Sequence, residues 1–288
     1  YIPDNNFRAA LEALGVTFDS TDRTETINLL SITELNIVNL GIDDLTGIEN
    51  FINLTGLTAY YNQLTSLDLS NNTALTYLSC GYNQLTSLNV SNLSNLTELY
   101  CLGNQLANID LSDNVDLTNL NLSFNNLTSL DVSNNPNLEE LVIYFTPITS
   151  LDLTNNTSLT SFVAYGASLT NLDIANGNNT NMTLFVTLAN PLLTTINVDD
   201  ANWATTNWTN PSNIDTWTTF TDFYKVYVPD ANFRTELINV HGVVFDTNNE
   251  TLSTSVNTIT TLDLQSKNIT DLTGLSGFTG LQILRFHD

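Results

Sequence analysis

The chain has 288 residues, with 30 Asp and Glu against 6 Lys and Arg and a formal net charge of −24. Hydrophobic residues make up 42 %, so a sizeable core can be buried, but no apolar run approaches the roughly 18 residues of a membrane span. A surface this poor in cations cannot neutralise phosphates, which excludes nucleic acid as a partner and argues against anionic membranes.

The first element predicted is a short helix after Pro3, ended by Gly15, because proline suits the first helical turn and glycine the residue past the end. Tyr1-Ile2-Pro3-Asp4 does not have the charged-then-apolar pattern of a signal peptide. If the chain is exported, its signal is expected to have been removed already or to lie outside this sequence. Between Arg23 and Lys225 there is no Lys, Arg or His. That imbalance has three readings: solubility in a salty medium, binding of Ca²⁺-type cations, or attraction of a basic partner. Solubility leads.

From residue 54 the chain repeats. Leu54, Leu75, Leu96, Leu117, Leu138 and Leu159 are spaced by 21 residues, and so are Leu57, Leu78, Leu99, Leu120, Leu141 and Phe162. Columns beginning at Ala59, Leu64, Leu67 and Leu69 recur at the same interval. The skeleton L-x-x-L-x-C-x-x-N-x-L-x-x-L-x-L is the signature of a leucine-rich repeat. One unit cannot bury its own leucines, whereas stacked units share a continuous core. The expected fold is therefore a leucine-rich-repeat solenoid, mainly β, with parallel stacked strands and short helical N-terminal caps.

Each unit has two extended halves, such as LTYLSC and LTSLNV, and either could form the principal sheet. The first is favoured because Asn62, Asn83, Asn104 and Asn125 follow it. Their buried amides are expected to bond the turn of the next unit. Thr146 and Ala167 interrupt this ladder, which predicts irregularity at Thr146-Pro147. Cys80 and Cys101 occupy the inward column. Side chains on in-register parallel strands point the same way and suit a disulfide torsion poorly, so both are expected as buried, reduced thiols.

A seventh, degraded unit uses Met182, Phe185, Asn190, Leu193, Ile196 and Val198. Trp203, Trp208, Trp217, Phe220 and Phe223 follow and predict a lid over the open core, with sugar stacking as the alternative. Then the beginning recurs. Tyr1-Ile2-Pro3-Asp4 returns as Tyr227-Val228-Pro229-Asp230, Asn6-Phe7-Arg8 as Asn232-Phe233-Arg234, and Leu45-Thr46-Gly47 as Leu272-Thr273-Gly274. The domains expected are an N-terminal cap over 1–34, a solenoid over 35–200, an aromatic cap or linker over 201–226, and a second cap with its first repeat over 227–288. Asp288 falls opposite Tyr61, so further repeats are expected beyond it.

IPDNNFRAALEALG, DLTGIENFINLTGL and NQLTSLDLSNN together resemble the internalin-like leucine-rich-repeat proteins secreted by Bacteroidota. The resemblance spans essentially the whole chain. It implies a secreted or cell-surface multidomain protein used in adhesion or attached to other modules. Some members carry an acidic calcium-loop-like stretch after the cap helix, of which Asp19-Ser20-Thr21-Asp22 and Asp246-Thr247-Asn248 keep fragments.

The outward columns of the first half carry tyrosines, whose apolar bodies and polar tips suit recognition. Tyr77, Tyr100, Val142, Tyr144, Val163 and Tyr165 form the candidate binding surface, although tyrosine also suits any exposed strand. The outward track of the second half reads Asp68, Asn89, Asp110, Asp131, Asp152, Asp173. No cofactor is expected, and Ca²⁺ on Asp110, Asp131, Asp152 and Asp173 is the alternative to screening by salt, because a flat track supplies few of the six to eight oxygens Ca²⁺ needs. Its hydroxyl rows also invite an ice-binding reading, which the acids in their midst oppose. Catalysis is not expected. His241 and His287 have no partner motif, and Glu98 and Glu140, about 10 Å apart, sit on an open sheet where neither is desolvated. The function expected is a non-catalytic extracellular module recognising a protein or glycan. Its alternatives are a structural spacer or filament element, and a targeting domain appended to a secreted enzyme.

Overall fold

A computed structural model describes residues 1–24, 29–208, 210–221, 225–245, 247–252, 255–256 and 258–286. Phe223, Asp246, His287 and Asp288 lie outside them. The chain divides into two compact units, Tyr1–Ile196 with Asn202–Phe220, and Asn197–Ala201 with Thr221–Asp288. Residues 201–226 contribute to both.

The first unit opens with the helix Asn5–Ala13, capped by Asp4, whose Oδ1 accepts the Phe7 N–H at 2.8 Å. Phe7 and Leu11 are buried, and Phe7 stacks on Phe51 at 6.2 Å. Arg8 ties the entering chain down by donating to the carbonyls of Ile2 and Pro3.

Eight three-residue strands follow in one parallel sheet, in the order Glu34–Asn36, Gly56–Thr58, Tyr77–Ser79, Glu98–Tyr100, Asn119–Asn121, Glu140–Val142, Ser161–Val163 and Leu184–Val186. The first half of each repeat therefore builds the principal sheet. Its register aligns Leu35, Leu57, Leu78, Leu99, Leu120, Leu141, Phe162 and Phe185. All eight are at most 4 % exposed, so this column is the spine of the core. The second half is extended chain in the early repeats. A second sheet of four short strands starts only at Ser150–Asp152 and Asn171–Asp173, just past Thr146-Pro147.

The asparagine ladder exists, but it reaches backward. Asn83 Oδ1 accepts from Leu64 N, and its Nδ2 donates to Ala59 O and Cys80 O, all near 3.0 Å. Asn104 and Asn125 repeat this pattern. The expectation of bonding to the next unit is corrected: the amide follows its own strand, and the orphaned groups within its reach are those of the preceding turn. At the breaks, Thr146 is buried and its hydroxyl donates to Ile143 O. Ala167 is buried too, and the ladder resumes at Asn190.

Sequence reading missed a second amide column. Asn72, Asn114, Asn135 and Asn156 are fully buried, and each donates Nδ2 to two carbonyls, such as Ile48 O and Phe51 O for Asn72. Their Oδ1 atoms accept nothing.

Past the last turn, Ala201–Asn207 is helical, which the residue pattern did not announce. Trp208 stacks on Phe185 at 4.1 Å and 16°, with Trp203 and Phe220 edge-on to it. The indole therefore packs on the last residue of the spine, whereas Trp217 is 51 % exposed. In the second unit, the helix Ala231–His241 runs from Asp230 to a left-handed Gly242. Phe233 stacks on Phe278 at 5.8 Å. Arg234 donates to the carbonyls of Val228 and Pro229, as Arg8 does in the first cap, and Thr261–Asp263 pairs in parallel with Ile283–Arg285.

Candidate binding face

A strand sends alternate side chains to opposite faces, so the buried spine leaves its flanking columns outward. The structure gathers the candidate tyrosines into two groups. Tyr77 and Tyr100 lie 5.7 Å apart, and the Tyr100 hydroxyl donates to Glu98 at 2.9 Å. Burial, and then the bond to Glu98, raise the Tyr100 pKa well above the usual phenol value. On the next strands, Asn119 donates to Glu140 at 3.0 Å. In the second group Tyr144 and Tyr165 meet edge-on at 6.4 Å, with Phe145 5.3 Å from Tyr165. Val142 and Val163 are only 6 % and 3 % exposed. They sit in an outward column but offer little surface to a partner.

One further column was not singled out from the sequence. Tyr61, Tyr82, Gly103, Phe124, Phe145 and Gly166 share the 21-residue spacing, each one residue before a ladder position. All six have positive φ, from 48° to 66°. The turn that follows each strand imposes this left-handed backbone at every rung. Glycine adopts it freely, whereas other L-residues lose about 1–2 kcal/mol. Aromatic rings nonetheless stand at four of the six rungs, and they are 36–51 % exposed. Tyr61 and Tyr82 stack at 4.7 Å, and Phe124 and Phe145 pair at 5.3 Å. The two glycines make room for the neighbouring ring, since a Cβ on Gly103 would stand 2.9 Å from Tyr82 and one on Gly166 2.8 Å from Phe145. Tyr60 joins the first pair, at 4.5 Å from Tyr61. Its pKa is pushed up to about 12 by burial and then by Tyr61 and Tyr82. The signal that could have found this ladder was the aromatic residue immediately preceding Asn62, Asn83 and Asn125, and preceding Thr146 in the fourth case.

The aspartate track is turn-forming. Asp68, Asp110 and Asp131 accept the N–H of Ser70, Ser112 and Ser133 at 2.9–3.0 Å. Asp152 accepts from Thr154 N and Oγ1, and Asp173 accepts from Ala175 N. Hydrogen bonds from these serines hold the carboxyls of Asp68, Asp110 and Asp131 below the usual range. Asp19 is likewise engaged by Thr21 and Arg23. Among the described residues, no three His, Cys, Asp or Glu are placed to hold a metal ion. Cys80 and Cys101 are free and fully buried, and burial pushes the Cys80 thiol up to about 12. Cavities of about 320 Å³ beside Lys267 and Phe286, and about 280 Å³ beside Trp208 and Asp215, share no residue with the candidate face. No helix among the described residues is long and apolar enough to cross a membrane.

A parallel sheet of in-register three-residue strands, an amide ladder and a helical cap define a leucine-rich-repeat solenoid, and the proteins it resembles are internalins. No family model matches the chain. Over 73 residues it is 40 % identical to internalin J of Listeria monocytogenes serotype 4b (strain F2365), a match covering 25 % of this chain and 8 % of that protein. The solved functional domain of internalin J from Listeria monocytogenes, described as including a cysteine ladder, superposes with a TM-score of 0.61 at 27 % identity. That match covers 99 % of this chain and 60 % of the solved one. An internalin of Listeria monocytogenes strain 4b F2365 superposes at a TM-score of 0.45 and 19 % identity, over 100 % of this chain and 91 % of its own. In the present chain Cys80 and Cys101 stand on adjacent rungs of one buried column.

Proposed function

We propose that this chain is a non-catalytic binding module acting at the cell exterior, and that it engages a protein partner through the outward face of its eight-stranded sheet. The observation that carries the proposal is the column of exposed aromatics held in left-handed backbone. These rings stand outside the leucine core, partly exposed and stacked on one another, at positions whose backbone glycine would suit better. Rings kept at such sites against local backbone preference point to a use outside the fold. Tyr77, Tyr100, Tyr144 and Tyr165 extend the same face. The likeness to internalin J supports a binding role in general, and the open sheet supplies neither a desolvated acid nor an enclosed pocket for chemistry.

The test is binding of the intact chain to protein and glycan arrays, alongside the variant Tyr100→Ser/Tyr144→Ser/Tyr165→Ser. Retained thermal unfolding with lost protein binding is the expected result. Undiminished binding by the folded variant would move the site off this face, and failure of the intact chain to bind would instead favour a solvated spacer.

A further inference from the structure

The partner's chemistry can be narrowed by what the face offers and what it lacks, and this step rests on the binding role proposed above. Three columns run side by side across the sheet. The first holds Glu34, Tyr77, Glu98, Asn119 and Glu140, the second holds Tyr100 beside the two shaded valines, and the aromatic ladder lies beyond. Glu98 and Gly103 are five residue steps apart, with Glu98–Tyr100 as strand, so a segment crossing both spans at most roughly 17 Å.

The rings of the ladder spend part of their faces on one another. Tyr61 and Tyr82 cover each other, and Tyr82 and Phe145 lie against Gly103 and Gly166. Sugar recognition by aromatics needs an open ring face, so a glycan fits this ladder poorly. What stays exposed, 36–51 % of each residue, can meet aliphatic side chains and backbone. A second copy of the chain would bring an equally acidic face to this one and be repelled. Anionic partners are opposed for the same reason, because no cation occurs between Arg23 and Lys225. Among the described residues, Glu98 and Glu140 engage neutral partners, Tyr100 and Asn119, and no ion pair, so a cationic visitor would displace none.

We infer that the occupant is a cationic, apolar segment of a partner protein. Its aliphatic side chains lie along Tyr61, Tyr82, Phe124 and Phe145, and its Lys or Arg heads reach the column of Glu98 and Glu140. Charge complementarity selects the partner and speeds encounter, while the ladder supplies the apolar contact that slows release.

The experiment selects a display library of short linear peptides on the intact chain, then measures the affinity of the enriched peptides by fluorescence anisotropy. Peptides carrying net positive charge with Leu, Ile, Val or aromatic residues should be enriched. Glu98→Gln/Glu140→Gln should weaken them by about tenfold or more, whereas Asp68→Asn/Asp110→Asn, which removes the same charge from the opposite track, should change little. Tyr82→Gly/Phe124→Gly suits the left-handed backbone, keeps the fold, and should cost a similar factor. Raising salt from roughly 0.05 to 0.5 M should weaken binding of the wild type more than that of the glutamine variant. Enrichment of neutral or acidic peptides, equal loss in the Asp control, or no enrichment at all would overturn the inference. If such peptides, or a glycan, still depend on Tyr100, Tyr144 and Tyr165, the binding face stands and only its cationic partner is lost. If the serine variant binds like wild type, both fall.

Discussion

Asp215 closes what Asn190 leaves open. Its Oδ2 accepts the Asn190 N–H at 2.9 Å and its Oδ1 the Ala189 N–H at 3.2 Å, while Asn190 reaches back to Leu169 N and Ala164 O. In the regular turns the following asparagine accepts from the turn before it. No asparagine rung follows the last turn, and a buried carboxylate from the segment beyond takes that place.

Replacing Asp215 by Ala leaves two N–H groups without acceptors and should cost about 2–3 kcal/mol. Asp215→Asn keeps one acceptor oxygen and should cost less. Amide exchange at Ala189 and Asn190 is the direct readout. Wild-type exchange rates there in Asp215→Ala would show that the carboxylate is not holding the turn.

The two amide columns should respond differently to leucine. Asn104→Leu orphans the buried Leu85 N–H and takes one of two amide donors from each of Cys80 O and Cys101 O, at about 2 kcal/mol. Asn114→Leu removes an Oδ1 that already accepts nothing, and Leu93 fills the same column one repeat earlier. Its cost should stay within about 1 kcal/mol. Urea midpoints of the two variants would separate them, and equal shifts would contradict the distinction.

The second cap should be acid-sensitive through Asp230. Backbone N–H bonds from Thr270 and then Phe233 lower its pKa to about 2. Since the folded value is depressed, the stabilisation is complete above the unfolded carboxyl value of about 3.9. It is lost as pH falls through the folded value, so the window runs from about pH 4 down to 2. Exchange protection at Thr270 should fall across that window in the wild type and be flat in Asp230→Asn. The same slope in both would assign the effect to another group.

Much of the fold was legible because the solenoid's inward pattern is local and periodic. Leu54, Leu57, Leu64 and Leu69 recur every 21 residues, and stacking identical coils puts each column in one place. The caps were legible as well: Pro3 and Gly15 bracket one helix, and Pro229 and Gly242 bracket the other. The asparagines were recognised, but their bonding direction was not, since it depends on which turn's N–H groups lie within reach of an amide that has already left its strand.

The candidate face was only partly legible. Tyr100 and Tyr144 followed from strand alternation, whereas the shading of Val142 and Val163 depends on side chains of neighbouring coils. The aromatic ladder escaped notice because nothing in the residues Tyr61, Tyr82, Phe124 and Phe145 reveals a left-handed φ, which belongs to the turn between strand and asparagine.

By itself, then, the order of residues determined the repeat, the core columns, the helical caps and a surface stripped of cations, because all of these follow from spacing and composition. Tertiary structure alone decided which outward rows stay open, how the amides and Asp215 share the turn hydrogen bonds, and where the rings meet. Each of those outcomes depends on atoms a full coil away in sequence, brought within a few ångströms by parallel stacking.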